Sequence, residues 1–463
     1  MIIYETEDEL LVKAKQANGK TFGEIDKTGR ILNGKNKGGL GHIVEEGFFG
    51  YEINSDARPD FENLNIELKV TPIKVNKNKS ISAKERLVLN IIDYMKEPQN
   101  DFTTSSFWKK NEKILMMFYQ WFPEIERKDY KILGSILHQY SENDLLILKK
   151  DWETIVSKIN LGKAHELSEG DTMYLGACTK GANKNSLREQ PFSDIPAMQR
   201  AYSLKQSYMT ALVRSIFDGE VLTRIATPDE LKEKSIEEIV AEKFNPFIGM
   251  TDDEIAKELE IQVDKKNKSY IPLMISALLG IKGTKLDKIE EFSKANIKFK
   301  TVRLEPNGKP KESMSFEKIN FDEWLDESWE ESKIYKQFEK TKFLFIVFEY
   351  KETLKENSKR KLYFKGFKLW NMPEEIINSK VKELWDEVRK ITREGVQIEY
   401  RTYGEKVREI NNLPKLHFNG VVHIRPKAKD GNDKVALPDG QKITKQCYWL
   451  NNSYIAEILK EII

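Results

Sequence analysis

Arg58-Pro59-Asp60-Phe61-Glu62-Asn63-Leu64-Asn65-Ile66-Glu67-Leu68-Lys69 is the stretch on which the fold turns. From Ile66 to Val70 apolar and charged residues alternate, the period of a half-buried strand. That period predicts Glu67 and Lys69 on one face, with Ile66, Leu68 and Val70 buried on the other. Asp60 stands seven residues before Glu67, behind an Arg-Pro approach, so two carboxylates and an amine converge.

Such a set suits metal-assisted hydrolysis of a phosphodiester. Asp60 and Glu67 are hard oxygen ligands of the kind Mg²⁺ takes, one or two carboxylates together with waters and a phosphate oxygen. The metal polarises phosphorus and lowers the pKa of its water. Lys69 is placed to orient that water and to offset charge in the transition state. Glu-x-Lys triplets are common in so charged a chain; Glu230-Leu231-Lys232 and Glu331-Ser332-Lys333 read as solvated helix faces. The Pro-Asp approach, the strand context and the upstream Glu45 and Glu46 set this triplet apart.

Outward from this stretch the chain reads as mixed α and β. Thr6 and Glu9 fit a capping box ahead of Leu10, and a glycine-rich turn, Gly34 to Gly41, leads into the apolar run Ile43 to Phe49. Leu87 to Ile92 and Ile114 to Tyr119 read as strands, and the pattern Trp152, Ile155, Val156, Ile159 as a helix. Residues 218–262 are acidic and helix-forming, with capping boxes Thr227 to Glu230 and Thr251 to Glu254 around the breaker Asn245-Pro246, and read as a helical linker. Weak repetition runs across the chain in constant order. Ile66-Glu67-Leu68-Lys69 resembles Ile297-Lys298-Phe299-Lys300; Trp152 and Gly162 are spaced like Trp385 and Gly395. Lys180-Gly181-Ala182-Asn183 resembles Lys429-Asp430-Gly431-Asn432, and the stretch Ser203 to Leu212 resembles Trp449 to Ile458. Together they favour one fold used twice.

The length of 463 residues excludes a single small domain. With 76 Lys and Arg against 74 Asp and Glu, the net charge is only +2, which excludes a blanket histone-like field and leaves any nucleic-acid contact to local charge. No apolar run approaches a membrane span, and the start MIIYETEDELL lacks signal-peptide character, so the expected location is the cytoplasm, without membrane attachment. Two separated cysteines and five scattered histidines give neither a disulfide framework nor a zinc site.

The segment Gly41 to Pro72, with its Pro-Asp and its Ile-Glu-Leu-Lys-Val-Thr-Pro, resembles the MutH mismatch-repair endonuclease and, more closely, the two-domain GATC-cutting type II restriction enzymes related to it. The likeness continues through Ser82 to Ile92, His165 to Gly170, Cys178 to Asn183 and Ser203-Leu204-Lys205, and more faintly through the second half. It implies a PD-(D/E)xK nuclease fold and Mg²⁺-dependent cutting of double-stranded DNA at GATC. Asp60, Glu67 and Lys69 fall on the family's catalytic positions, the first two as metal ligands. Glu46 matches the family's helix glutamate by its distance to Asp60, while counting from Gly41 selects Glu45. Lys110 falls near a further family lysine, as do Lys109 and Lys113. For DNA recognition the likeness points to Lys180 and Asn183 at base edges and to Arg200 and Lys205 at phosphates.

In the second half Lys298 stands where the repeat needs Glu67, and Glu291 where it needs Asp60, so the copy should not hold Mg²⁺. Arg425, Lys427 and Lys445 keep its recognition region cationic. The expected architecture is two tandem α/β (α+β) MutH-like folds: a catalytic domain at 1–217, the linker 218–262 and an inactive, DNA-binding, allosteric domain at 263–463. The family implies a dimer on DNA, and a cognate DNA methyltransferase in the same system that is not a physical partner. Two rival readings are a MutH-like nicking enzyme, against which the doubled length argues, and a non-catalytic DNA-binding regulator, against which the intact Asp60, Glu67 and Lys69 argue.

Overall fold

The computed structural model describes residues 3–32, 39–51, 58–181, 186–281, 283, 285–404 and 406–462. The chain divides into two compact units, Met1–Ile236 with Asp287–Asn296, and Glu237–Leu286 with Ile297–Ile463.

The first unit contains strands β1 (Ile66–Val75), β2 (Ile81–Ala83), β3 (Leu87–Ile91), β4 (Lys113–Gln120), β5 (Ile132–Gln139), β6 (Leu175–Thr179), β7 (Leu187–Gln190), β8 (Ser193–Met198) and β9 (Arg200–Leu204). One sheet runs β2-β1-β4-β5, with β1 parallel to β4 and the other pairs antiparallel. A second, antiparallel sheet runs β3-β9-β6, and β7 and β8 form a hairpin. The apolar face of β1 behaves as its alternation requires: Ile66 and Leu68 pack with Phe49, Phe61, Leu115 and Met117 in one core. The helix Glu142–Asn160 starts at Ser141, whose hydroxyl accepts the Asp144 N–H, and buries Trp152, Ile155 and Ile159.

The second unit contains β10 (Ile297–Leu304), β11 (Met314–Lys318), β12 (Lys342–Tyr350), β13 (Leu362–Trp370), β14 (Ile398–Tyr403), β15 (Lys406–Asn411), β16 (Val422–Pro426), β17 (Lys434–Ala436), β18 (Lys442–Thr444) and β19 (Gln446–Leu450). Its topology repeats the first. β10 is parallel to β12 and β12 antiparallel to β13, while β11, β19 and β16 form the antiparallel sheet. The hairpin β14-β15 is an addition.

Three of the four sequence repeats fall on equivalent elements; the fourth, Lys180 to Asn183 beside Lys429 to Asn432, lies partly outside the described residues. Ile66 opens β1 opposite Lys113, and Ile297 opens β10 opposite Lys342. Each strand is entered through a left-handed asparagine, Asn65 and Asn296, both at φ 54°, a conformation that asparagine tolerates better than most residues. Trp152 and Trp385 lie in the helices Glu142–Asn160 and Lys382–Glu394, and Gly162 and Gly395 just beyond them have positive φ. β9 and β19 lead into the helices Gln206–Asp218 and Asn452–Ile458.

Residues 218–262 are helical, and both capping boxes form, yet they make no separate body. The division falls between Ile236 and Glu237, and Asp287–Asn296 returns to the first unit. The return is driven by burial of Ile289, Phe292 and Ala295. It is fixed by Lys294, whose ammonium meets Asp144 at 2.7 Å and Glu290 at 2.6 Å.

Candidate active site

β2 pairs only with Ile73–Val75 of β1, so among the described residues the first half of β1 has one edge without a strand. Phe61 pairs with Ile66 across the short 3₁₀ turn Glu62–Leu64, which folds Asp60 back against that edge. There the Leu68 N–H donates to Asp60 Oδ2 at 2.8 Å. Glu67 and Lys69 lie on one face as the period requires: Lys69 Nζ donates to Glu67 Oε1 at 2.6 Å.

Glu67 is 2% exposed, and its Oε2 is buried and accepts no hydrogen bond. Lys110 Nζ stands 3.6 Å from that oxygen and donates to the Arg58 carbonyl at 3.1 Å. Of the three lysines open in the sequence, Lys110 is thus the one brought to the carboxylates; Lys113 pairs with Glu7 at 2.6 Å and Lys109 is exposed. Burial, and then the neighbouring Glu67, push the Asp60 carboxyl up to about 6, against the opposing pull of the Leu68 N–H and the two lysines.

Glu46 is not brought to this cluster. Ile43–Phe49 forms a π-helical turn closed by Gly50 in the left-handed region, a feature frequent at functional sites. Successive side chains on a helical turn point roughly 100° apart, so Glu45 and Glu46 cannot share a direction. Glu46 pairs with Arg30 near the surface, whereas Glu45 is half-buried, and its carboxyl is raised by burial and then by Asp60. Sequence reasoning missed Tyr51, whose hydroxyl is buried without a hydrogen-bond partner. Burial and then Asp60, Glu45 and Glu67 push its phenol far above its usual range; an aromatic after Gly50 gave no signal of this.

Among the described residues no group of three or more His, Cys, Asp or Glu side chains is arranged to hold a metal, so ligation here would rest on the Asp60 and Glu67 pair. The residues fit a hard dication in one respect the geometry makes plain: a buried carboxylate oxygen of Glu67 receives no hydrogen bond, and burying such a group unsatisfied is costly.

The recognition residues fare unevenly. Lys180 is exposed just beyond β6, and Asn183 lies outside the described residues. Arg200 and Lys205, expected at phosphates, are 4% and 3% exposed. The reason is position: β9 is the central strand of its sheet, and Arg200 donates to the Ala177 carbonyl at 2.8 Å while Lys205 donates to the Thr172 carbonyl. Arg200 ties β9 to β6 within the sheet, and Lys205, just past β9, ties the chain to the turn ahead of β6. In the second unit Arg425 is exposed above the Trp449 ring, at 5.4 Å, Lys427 is exposed, and Lys445 pairs with Asp433. Glu291 lies in the returning helix, its carboxylate accepting the Ile225 and Ala226 N–H groups at 3.2 Å. Lys298 and Lys300 take the register positions of Glu67 and Lys69.

No helix among the described residues is long and apolar enough to cross a membrane. The protein-family model described as DNA mismatch repair enzyme MutH matches residues 49–151 and 283–380, two segments that start ahead of β1 and β10. The type II restriction enzyme Sau3AI of Staphylococcus aureus is 38% identical over 497 aligned residues, covering 99% of this chain and 99% of that enzyme. The DNA mismatch repair protein MutH of Shewanella woodyi is 31% identical over 189 residues, 40% of this chain and 80% of that protein. MutH of Pasteurella multocida is 28% identical over 188 residues, 40% of this chain and 82% of that protein. Likeness to the mismatch-repair proteins thus spans under half of the chain, and likeness to the restriction enzyme spans all of it. The chain belongs to the family of MutH-like type II restriction enzymes, hydrolases that act on DNA at defined sites.

Proposed function

We propose that this chain cuts double-stranded DNA at GATC by Mg²⁺-assisted hydrolysis of a phosphodiester, with one active site, in the first unit. The observation that carries the reading is Glu67, buried beside Asp60 and two lysines with one oxygen left without a hydrogen bond. Asp60 and Glu67 would hold the metal. Bound there, it would polarise a phosphate oxygen and lower the pKa of a coordinated water. Lys69 orients the attacking water and offsets negative charge as it builds on the phosphate oxygens. Lys110, tethered to the Arg58 carbonyl, stands beside Glu67 Oε2; the Leu68 N–H fixes the direction of Asp60. Glu45 adds a third carboxylate behind Asp60.

The second unit acts as an inactive DNA-binding, allosteric copy, with Lys298 where a metal site needs the Glu67 carboxylate. A single active site cuts one strand, so a double-strand break requires two chains on the palindrome or two successive cuts; the reading adopted is a dimer on DNA. A cognate methyltransferase protects host sites in the same cytoplasm without touching this chain. The test is purified protein with plasmid DNA, with Mg²⁺ and with EDTA. Linear fragments ending at GATC, seen with Mg²⁺ alone, support the reading. Persistent nicked circles would favour the MutH-like alternative, which the single active site also accommodates. Tight binding without any cutting would favour a regulator.

A further inference from the structure

The charge pattern of the second unit's lost active site points to something it gained. β10 is aligned to β12 as β1 is to β4, which places Lys298 at the Glu67 position and Lys300 at the Lys69 position. Three residues ahead of Lys342 stands Glu339, as Lys110 stands three ahead of Lys113. Relative to the first unit, the Glu67 and Lys110 positions have exchanged sign, while the Lys69 position keeps its lysine as Lys300. Lys300 reaches Ser315, donating to its carbonyl at 3.2 Å, with its ammonium 4.7 Å above the Phe316 ring. Lys427, arriving from beyond β16, donates to the hydroxyl of the same Ser315 at 2.8 Å and to the Phe316 carbonyl at 3.4 Å. Two ammonium groups therefore converge on one dipeptide.

Among the described residues no carboxylate lies within ion-pair distance of either ammonium. Burial, with Lys427 adding in the same direction, lowers the Lys300 pKa from its ordinary value. An ammonium half removed from water beside a like charge is unfavourable unless an anion joins them. Each ammonium has three donors, and the contacts above leave donors on both. A phosphodiester, with one negative charge and two free oxygens, can take one donor from each. A second cation would be repelled, so no metal is needed.

We propose that Lys300 and Lys427 together form a metal-independent site for one backbone phosphate of duplex DNA, with Lys300 on the strand whose equivalent carries Glu67 in the first unit. The proposal rests on the reading of the second unit as a DNA-binding copy. It adds Lys300 to that unit's contacts and gives Lys427 a partner.

The test measures affinity of the full chain for a GATC duplex in EDTA across a salt series. One phosphate contact contributes a slope of about 0.9 in log K against log salt. The double variant Lys300→Gln with Lys427→Gln should lose about that amount, not twice it, because the two lysines share one phosphate. Lys300→Arg should retain the slope. Lys427→Glu alone, at an exposed side chain, supplies the same readout if the double variant fails to fold, which thermal unfolding reports, because its carboxylate cancels the charge of Lys300 and repels the phosphate. An unchanged slope in a folded variant overturns the proposal, and if the wild type still cuts at GATC with Mg²⁺ the nuclease reading survives it. Absence of metal-free DNA binding by the wild type overturns both this site and the DNA-binding reading of the second unit. Inorganic phosphate is the second probe: if it raises the unfolding temperature of the wild type and not of the double variant, while the DNA slope stays the same, the pair is a free-anion site only and the proposal fails.

Discussion

Asp60 and Glu67 share a site but not an environment. Asp60 accepts a backbone N–H, whereas Glu67 leaves one oxygen without a hydrogen bond, so the two carboxylates are unequal before any metal arrives. Asp60→Asn should keep the fold and reduce DNA cutting by more than the roughly 10–100-fold that loss of an outer-shell partner causes, as read from single-turnover cleavage. Tyr51→Phe should act differently. It deletes a buried hydroxyl that has no partner, a burden of about 1–3 kcal/mol, so urea unfolding in EDTA should show the metal-free chain stabilised by about 1 kcal/mol. The alternation from Ile66 to Val70 made Glu67 and Lys69 legible in sequence, because period 2 fixes the face of a strand. The glutamate was not legible: counting residues cannot say which way a π-helical turn aims Glu45 and Glu46. Arg200 and Lys205 misled for another reason. A cation is usually exposed, and nothing in the sequence says that these two meet backbone carbonyls inside a sheet.

The helix Glu290–Ala295 shows what one short element can carry. Lys294 is nearly buried between Asp144 and Glu290, and removing a single partner of such a network typically costs about 3–5 kcal/mol. Lys294→Met should therefore lower the stability of the first unit by that order in a denaturant titration, with Asp144 bearing most of the effect because Glu290 retains Arg224. The same helix lines a cavity of about 550 Å³ with His138. Burial, and then Lys294, lower the His138 imidazole to about 4. Since the unfolded chain titrates near 6.5, it binds more protons than the folded chain between those values. The stability contributed is thus complete above pH 6.5 and lost as pH falls towards 4, by about 3 kcal/mol in all. His138→Phe should flatten the pH dependence of unfolding across that window. The capping boxes of the 218–262 stretch were legible because they are local. Its division between two units was not, because it depends on apolar contacts remote in sequence.

For the whole molecule, four weak repeats in constant order were enough to read a duplicated fold, and the three that lie within the described residues fall on equivalent elements of the two units. Lys298 stands at the register position of Glu67, while the strand entries at Asn65 and Asn296 keep the same backbone angle, so the backbone is more alike between the two units than the side chains it presents. The proposed single active site per chain would have a kinetic signature: with protein limiting over supercoiled DNA, nicked circles should rise before linear product in a time course on agarose. Simultaneous appearance of linear DNA would require pre-assembled pairs of chains. The return of Asp287–Asn296 to the first unit also governs any attempt to divide the protein by protease or by gene truncation. A single scission at residue 236 would strip the amino-terminal fragment of Ile289, Phe292 and Lys294, leaving their seats open to water and Asp144 without its ammonium. It would also leave the carboxy-terminal fragment carrying a greasy, homeless helix. Loss of function in either fragment would then report a torn seam, and division of labour between the units is better probed by point substitutions in the intact chain.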